Sequence, residues 1–384
     1  MASTWSRRWS RRGVGALHWT GRHERANVTK LFEPLTIRSV TFKNRAWVSP
    51  MCQYSAREGL VGSWHLVHLG SFATGGAGLV MAEASAVTPR GRISVACPGL
   101  WNDEQVGAWR EVTDFIHSQS AVTGIQLAHA GRKGSTMRPW DDHVMATRSE
   151  GGWEAVAPSA VAFEGYETPH ALNLQEIDEL VDQFADAAQR ALRAGFDLVE
   201  IHAAHGYLLH EFLSPLSNRR EDDYGGSFEN RIRFLLRVVA AVRDRIGATT
   251  PLFVRISATD YVEGGWDVDQ AVALAHALRH AGVDLIDVSS GGNVAHAVIP
   301  IGPGYQVPFA REIRHQAHVT TSAVGMITEP AQAEQILQEG AADAVMLARA
   351  YLRNPRWALY AAEALGEYVD WPAQLERART LRRP

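Results

Sequence analysis

From Leu31 onward, short apolar runs alternate with longer amphipathic segments, a pattern that predicts repeating βα units around a parallel sheet. Eight runs qualify as strands: Ala46–Ser49, Leu79–Ala84, Thr123–Ala128, Leu198–Ile201, Leu252–Ile256, Leu285–Ser289, Thr320–Val324 and Ala344–Leu347. They are apolar almost without interruption, which suits strands buried on both faces. Between Leu174 and Ala194, Ile177, Leu180, Val181, Phe184, Ala188 and Leu192 fall at helical spacing, with Gly195 where a C-cap belongs. Asp267 to Ala281 reads as a second helix closed by Gly282, and Thr328-Glu329-Pro330 opens a third with a capping hydroxyl, an acid and an early proline. Eight such units predict a single (β/α)8 TIM barrel. The stretch from Arg132 to Leu172 has no periodicity and carries Pro139, Pro158 and Pro169. It reads as an excursion after the third strand, on the barrel face where active sites lie.

Composition narrows the class. A chain of 384 residues, 46% hydrophobic, can bury a large core. A net charge of -4 argues against a general nucleic-acid binder. No apolar stretch is long enough to span a bilayer. Cys52 and Cys97 are the only cysteines, too few for a disulfide framework or a Cys-ligated iron–sulfur cluster. A cytoplasmic setting is expected.

The first stretch differs from the rest: Arg7, Arg8, Arg11, Arg12, Arg22 and Arg25 stand among Trp, Ser and Gly. No apolar segment succeeds it, as secretion would require. Residues 1–28 are expected to be a disordered basic extension, with an address signal as the alternative. The barrel is expected over 29–366 and a C-terminal tail over 367–384.

The chemistry concentrates after the fourth strand. The run Phe196-Asp197-Leu198-Val199-Glu200-Ile201 delivers His202 and His205, with Tyr207 just beyond. Two imidazoles and a phenol at a strand end can grip an oxygen and hand over a proton. The alternative for an isolated His-x-x-His is a pair of hydrogen-bonded core residues. The adjoining residues decide between the two: Leu208-Leu209-His210-Glu211-Phe212-Leu213-Ser214-Pro215-Leu216-Ser217-Asn218-Arg219-Arg220, then Asp223-Tyr224-Gly225-Gly226-Ser227-Phe228-Glu229-Asn230-Arg231. This string resembles the signature of the old yellow enzyme family, flavin-dependent reductases of activated alkenes. Ser49-Pro50-Met51-Cys52-Gln53-Tyr54 resembles that family's thermophilic-like branch, in which a cysteine sits beside the flavin.

The resemblance runs from Leu31 to about Arg377 and implies FMN as cofactor, NAD(P)H as reductant and an enone-type small molecule as substrate. It places Ser49, Pro50, Met51, Cys52, Ala84 and Gln126 at the flavin, with the Ala84 side chain leaving room for the ring. Arg255 stands inside an apolar strand, where a guanidinium demands a partner; the resemblance supplies the flavin, and the alternative is a salt bridge within the barrel. The phosphate is expected at Gly291, Gly292, Gly325, Ala348 and Arg349, at the last strand ends. Ala348 departs from the glycine usual there. His202 and His205 would hold the substrate oxygen, Tyr207 would protonate, and Tyr54 and Lys133 would flank the substrate. Arg377 resembles an arginine that this branch inserts into a neighbouring subunit, implying a homodimer or homotetramer with shared sites. Here Ala378 replaces the aromatic often found next. The rival readings are a non-catalytic flavin-binding or sensor barrel, and a metal-dependent barrel hydrolase using the histidine pair.

Overall fold

The computed structural model describes residues 29–380; the basic extension expected at 1–28 and the end of the tail, with Arg382 and Arg383, lie outside them. Eight parallel strands close into a barrel: β1 (Ala46–Val48), β2 (Leu79–Ala86), β3 (Val122–Ala128), β4 (Leu198–Ala203), β5 (Leu252–Ser257), β6 (Leu285–Ser289), β7 (Thr320–Ala323) and β8 (Ala344–Leu347). Each expected strand lies within two residues of an observed one. Closure is made where β8 pairs with β1, Met346 opposite Trp47 and Leu347 opposite Val48. The register of β2 against β3 shifts between Ala82 and Ser85, and Ala84 sits at that irregularity.

The outer ring comprises α1 (Ser63–Thr74), α2 (Asp103–Ser118), α3 (Leu174–Arg193), α4 (Phe228–Ile246), α5 (Val268–His280), α6 (Val307–Ala317), α7 (Pro330–Gln338) and α8 (Trp357–Ala364). The helix α3 begins with a capping box between Asn173 and Glu176 and buries Ile177, Leu180, Val181, Phe184 and Ala188. Gly195 comes just after it at φ +90°, and a Cβ there would stand 2.8 Å from Thr113 Oγ1. The opening of α7 differs from the sequence reading: Glu329 is the N-cap and no side chain caps the helix. The Thr328 hydroxyl is not used, because Gln332 organises that turn, accepting from Thr328 N and donating to Met326 O.

A hairpin that the hydrophobic pattern did not predict, Leu35–Ile37 with Val40–Phe42, precedes the barrel. Ile37 and Phe42 pack with Trp47, Leu79, Met81, Leu198, Phe253, Leu285 and Met346 into a separate core. Phe42 and Trp47 rings are 4.5 Å apart, and Trp47 stacks on Phe253. This apolar plug fills the N-terminal end of the barrel. The excursion holds only a two-residue strand pair, Val156–Ala157 with His170–Ala171, and short turns. It is tied to the C-terminal face through Arg132 Nη1, which donates to Val161 O, and Arg220 Nη1, which donates to Pro158 O. No helix among the described residues is long and apolar enough to cross a membrane.

Candidate active site

Above the plug, the barrel interior turns polar. Strand register sets Gln126 beside Glu200, Arg255 beside Asp287, and Asp287 beside Ser322. Gln126 Nε2 donates to Glu200 Oε1 at 2.8 Å, and Ser322 Oγ donates to Asp287 Oδ1 at 2.8 Å. Arg255 Nε lies 2.9 Å from Asp287 Oδ2, and Arg255 Nη2 donates to Ser49 Oγ at 3.0 Å. The guanidinium thus bonds one buried carboxyl, Asp287, and one buried hydroxyl, Ser49, and its charge also acts on Glu200. Burial, and then the Asp287 charge, pushes Glu200 up to about 8, and burial also raises Asp287. Glu200 is thus neutral at pH 7 and can sit beside Gln126 without a full charge. Arg255 meets the alternative raised for it, a salt bridge within the barrel, and its other face still opens toward the rim.

At that rim a cavity of about 280 Å³ is lined by Ser49, Pro50, His205, Arg255, Gly325, Ala348 and Arg349 among the residues singled out from sequence. Met326, next to the expected Gly325, also lines it; Tyr305, Gln306 and Arg353 line it too and were not anticipated, since they occupy loop and helix positions with no periodic or motif signal. Three arginines and no carboxylate line this space, which suits a phosphate-bearing, anionic ligand. Gly325 has φ +121°, and a Cβ there would come within 2.9 Å of Gln306 Nε2. His202 Nδ1 is buried without a hydrogen-bond partner in the protein. An orphaned ring nitrogen, a cationic lining and a glycine with no room for a side chain fit a flavin mononucleotide.

The histidines and tyrosine gather as their spacing suggests. The His202 ring lies 5.2 Å from both the His205 and Tyr207 rings, centre to centre. His205 adopts φ +61°, a conformation held by its N–H donating to Ser257 Oγ at 2.9 Å. His205 Nε2 is 2.7 Å from Ser289 Oγ, leaving Nδ1 as its free nitrogen. Burial, and secondarily the Arg255 charge, holds both imidazoles well below their ordinary range, so both are neutral. Burial raises the Tyr207 phenol well above its usual value. Lys133 Nζ donates to His205 O and Gly292 O, each at 2.9 Å, and stands 4.9 Å from the Tyr207 ring centre. Burial lowers Lys133 to about 8.

The remaining positions divide. Met51 packs against the main core and Cys52 is partly exposed. Gln53 N donates to Glu83 Oε2 at 2.9 Å, while Glu83 Oε1 is 3.3 Å from His65 Nε2; this buried pair fixes the loop that carries Cys52. Tyr54 has φ +51° and meets Trp140 edge-on. Gly291 and Gly292 are not in the cavity wall. Gly291 O accepts from Ser257 Oγ, and a Cβ on Gly292 would strike the His205 backbone at 2.7 Å. These glycines brace the His205 turn. Arg377 lies exposed in a short turn, Glu376–Ala378, away from the cavity lining. Glu83, Glu200 and Asp287 escaped the sequence reading, although each interrupts an apolar strand just as Arg255 does. Among the described residues, no group of three or more His, Cys, Asp and Glu side chains converges as a metal site would require.

A parallel barrel with a cationic ligand cavity at its C-terminal rim, beside paired neutral histidines and a tyrosine, has the architecture of a flavin-dependent oxidoreductase. Residues 30–367 match the NADH:flavin oxidoreductase / NADH oxidase family. The chain belongs to that family. It is 49% identical over 352 residues to an NADPH dehydrogenase of Geobacillus sp. (strain WCH70), covering 91% of this chain and 98% of that one. It is 47% identical over 351 residues to the NADPH dehydrogenase of Bacillus subtilis (strain 168), with the same coverage of each. Among solved structures, morphinone reductase superposes with a TM-score of 0.74 at 30% identity, over 90% of this chain and 91% of that chain. An old yellow enzyme homologue from Zymomonas mobilis gives 0.72 at 28%, over 89% and 94%. The expected fold, family and cofactors, FMN with NAD(P)H, are borne out.

Proposed function

We propose that this flavin oxidoreductase is an ene-reductase, reducing the C=C bond of α,β-unsaturated carbonyl compounds. The observation that carries the reading is the cluster of His202, His205 and Tyr207 beside the cationic cavity, with His202 Nδ1 unpartnered. Bound FMN supplies the redox chemistry, taking hydride from NAD(P)H and passing it to an electron-poor carbon. Ser49, Pro50, Met51, Cys52, Ala84, Gln126 and Arg255 would hold its ring, and Gly325, Ala348 and Arg349 its phosphate.

The protein's own residues supply the rest. Neutral His202 and His205 each retain one N–H, and two such donors aimed at a carbonyl oxygen favour the negative charge that accumulates there as the β-carbon is reduced. Tyr207 stays protonated throughout the physiological range and donates its phenolic proton to the α-carbon. The Lys133 ammonium stabilises the phenolate so formed, then water restores the proton. Tyr54 and Lys133 border the substrate, and Arg377 of a neighbouring subunit closes the site in a homodimer or homotetramer.

The reading is tested with purified holoprotein under argon: NADPH should bleach the yellow flavin, and cyclohexenone should restore the colour with formation of cyclohexanone. Bleaching with no subsequent reoxidation by the enone would leave a flavin reductase or sensor instead.

A further inference from the structure

Beside the substrate site, a second cavity of about 220 Å³ lies between the excursion and the loop after β6. Arg132, in the turn after β3, lines it, and Val161, Phe163, Leu216 and Val294 give it apolar walls. The two spaces share their borders. The Phe163 ring centre is 4.8 Å from Lys133 Nζ and 5.8 Å from Arg132 Cζ. Gly292, whose carbonyl accepts from Lys133, directly precedes the lining residue Asn293.

Arg132 is 3% exposed, and all three of its side-chain hydrogen bonds end on neutral oxygens. Nη1 donates to Val161 O at 3.1 Å, and Nη2 donates to Asn293 O at 2.6 Å and to Asn293 Oδ1 at 3.2 Å. Nε is buried with no partner, so the guanidinium has donors to spare. Neither nearby acid meets its charge directly. Glu211 uses Oε1 to accept from Arg132 N at 2.8 Å, and burial pushes its carboxyl up to about 8, so it is neutral at pH 7. Asp260 is linked to the guanidinium only through Asn293, whose Nδ2 donates to Asp260 Oδ2 at 3.3 Å. A buried cation without a counter-ion is costly, and an anion bonded to it relieves that cost. Glu164, the acid in the lining, is exposed, where water and salt screen its charge.

The walls select the anion. A phosphate or pyrophosphate carries more charge than one guanidinium answers, and apolar walls leave the rest of it unsolvated. A hydrocarbon chain ending in a single carboxylate suits both the walls and the lone buried cation. We propose, on the basis of the ene-reductase reading, that this cavity is a specificity pocket for an acidic substrate tail: the preferred substrate is an α,β-unsaturated ketone whose alkyl chain runs past Phe163 and ends in a carboxylate on Arg132.

The test offers the holoenzyme cyclopentenone, cyclopentenones carrying a butanoic to heptanoic acid chain on the alkene α-carbon, and the methyl ester of each acid. At one or more chain lengths the acid should exceed its ester by roughly 10-fold in kcat/KM, through a lower KM, the effect of one charge-assisted hydrogen bond. Ala295→Glu sets a carboxylate at an exposed position of the lining. It should abolish the preference while cyclopentenone and the esters keep their wild-type rates. Arg132→Leu should abolish it too, and Ala295→Glu decides the matter if the loss of the bonds to Val161 and Asn293 unfolds that variant. Acid and ester reduced alike at every length, with cyclopentenone itself turned over, would overturn the acidic-tail assignment and leave the ene-reductase reading standing. Cyclopentenone left unreduced would overturn both. A preference that survives in Ala295→Glu while NADPH binding weakens would assign the cavity to the dinucleotide's phosphates instead.

Discussion

Arg255 on β5 and Asp287 on β6 are register partners, and their side chains meet at 2.9 Å inside the barrel. The carboxylate holds the guanidinium in place, and the guanidinium keeps one edge toward the rim cavity. Arg255→Met is therefore expected to act twice. It removes positive charge from the flavin pocket, and it leaves a buried carboxyl without its counter-ion, a loss on the order of 3–5 kcal/mol. Thermal melts should fall for Arg255→Met and recover in part in Arg255→Met/Asp287→Asn, while FMN affinity stays weakened in both. Full FMN affinity in the single variant would remove Arg255 from the pocket.

Glu200 gives a pH signature. Its carboxyl is neutral below about 8 and gains a negative charge above it, which opposes reduction of a neighbouring flavin. The flavin midpoint potential should thus fall more steeply above about pH 8 than below. Glu200→Gln, which mimics the neutral acid and keeps a partner for Gln126, should lose that break. A break that persists in the variant must arise elsewhere.

The histidine pair is expected to act on substrate oxygen. His202→Ala and His205→Ala should each cut enone turnover by roughly 10²-fold, the usual cost of losing one oxyanion donor. Flavin content should change little. Activity removed by a chelator and restored by zinc would instead point to a metal centre.

Tyr207→Phe keeps the ring and deletes the proton. Stopped-flow traces should show reduction by NADPH unchanged and reoxidation by enone slowed by roughly 10²-fold or more. In wild type, the reoxidation step should slow as pH rises through about 8, where Lys133 loses its charge. Lys133→Met should be slow at all pH values and lack this decline.

Arg377 is exposed in the single chain. If it completes a neighbour's site, Arg377→Ala should raise the KM for substrate or nicotinamide with the melting temperature unchanged. A fully active monomer by light scattering would dispose of this role.

Much of the fold can be read from the sequence because buried parallel strands are written as continuous apolar runs. The hairpin at Leu35–Phe42 cannot: its two strands are three residues each, shorter than any periodic window. Arg255 is conspicuous as a lone charge among Val254 and Ile256, and the same signal stands at Glu200 and Asp287. Their pairing, however, is set by strand register, which local sequence does not encode. Gly291 and Gly292 show the converse limit. Glycines at a strand end imply close approach, but not whether the approaching atom belongs to a ligand or, as here, to the backbone of His205.

The aromatic plug of Phe42, Trp47 and Phe253 makes the barrel a blind well. A ligand that reaches Arg255 must come and go through the rim, so nicotinamide and alkene share one doorway and must take turns. Initial-rate plots at several fixed concentrations of one reactant should run parallel, and an excess of either should jam the entrance against the other.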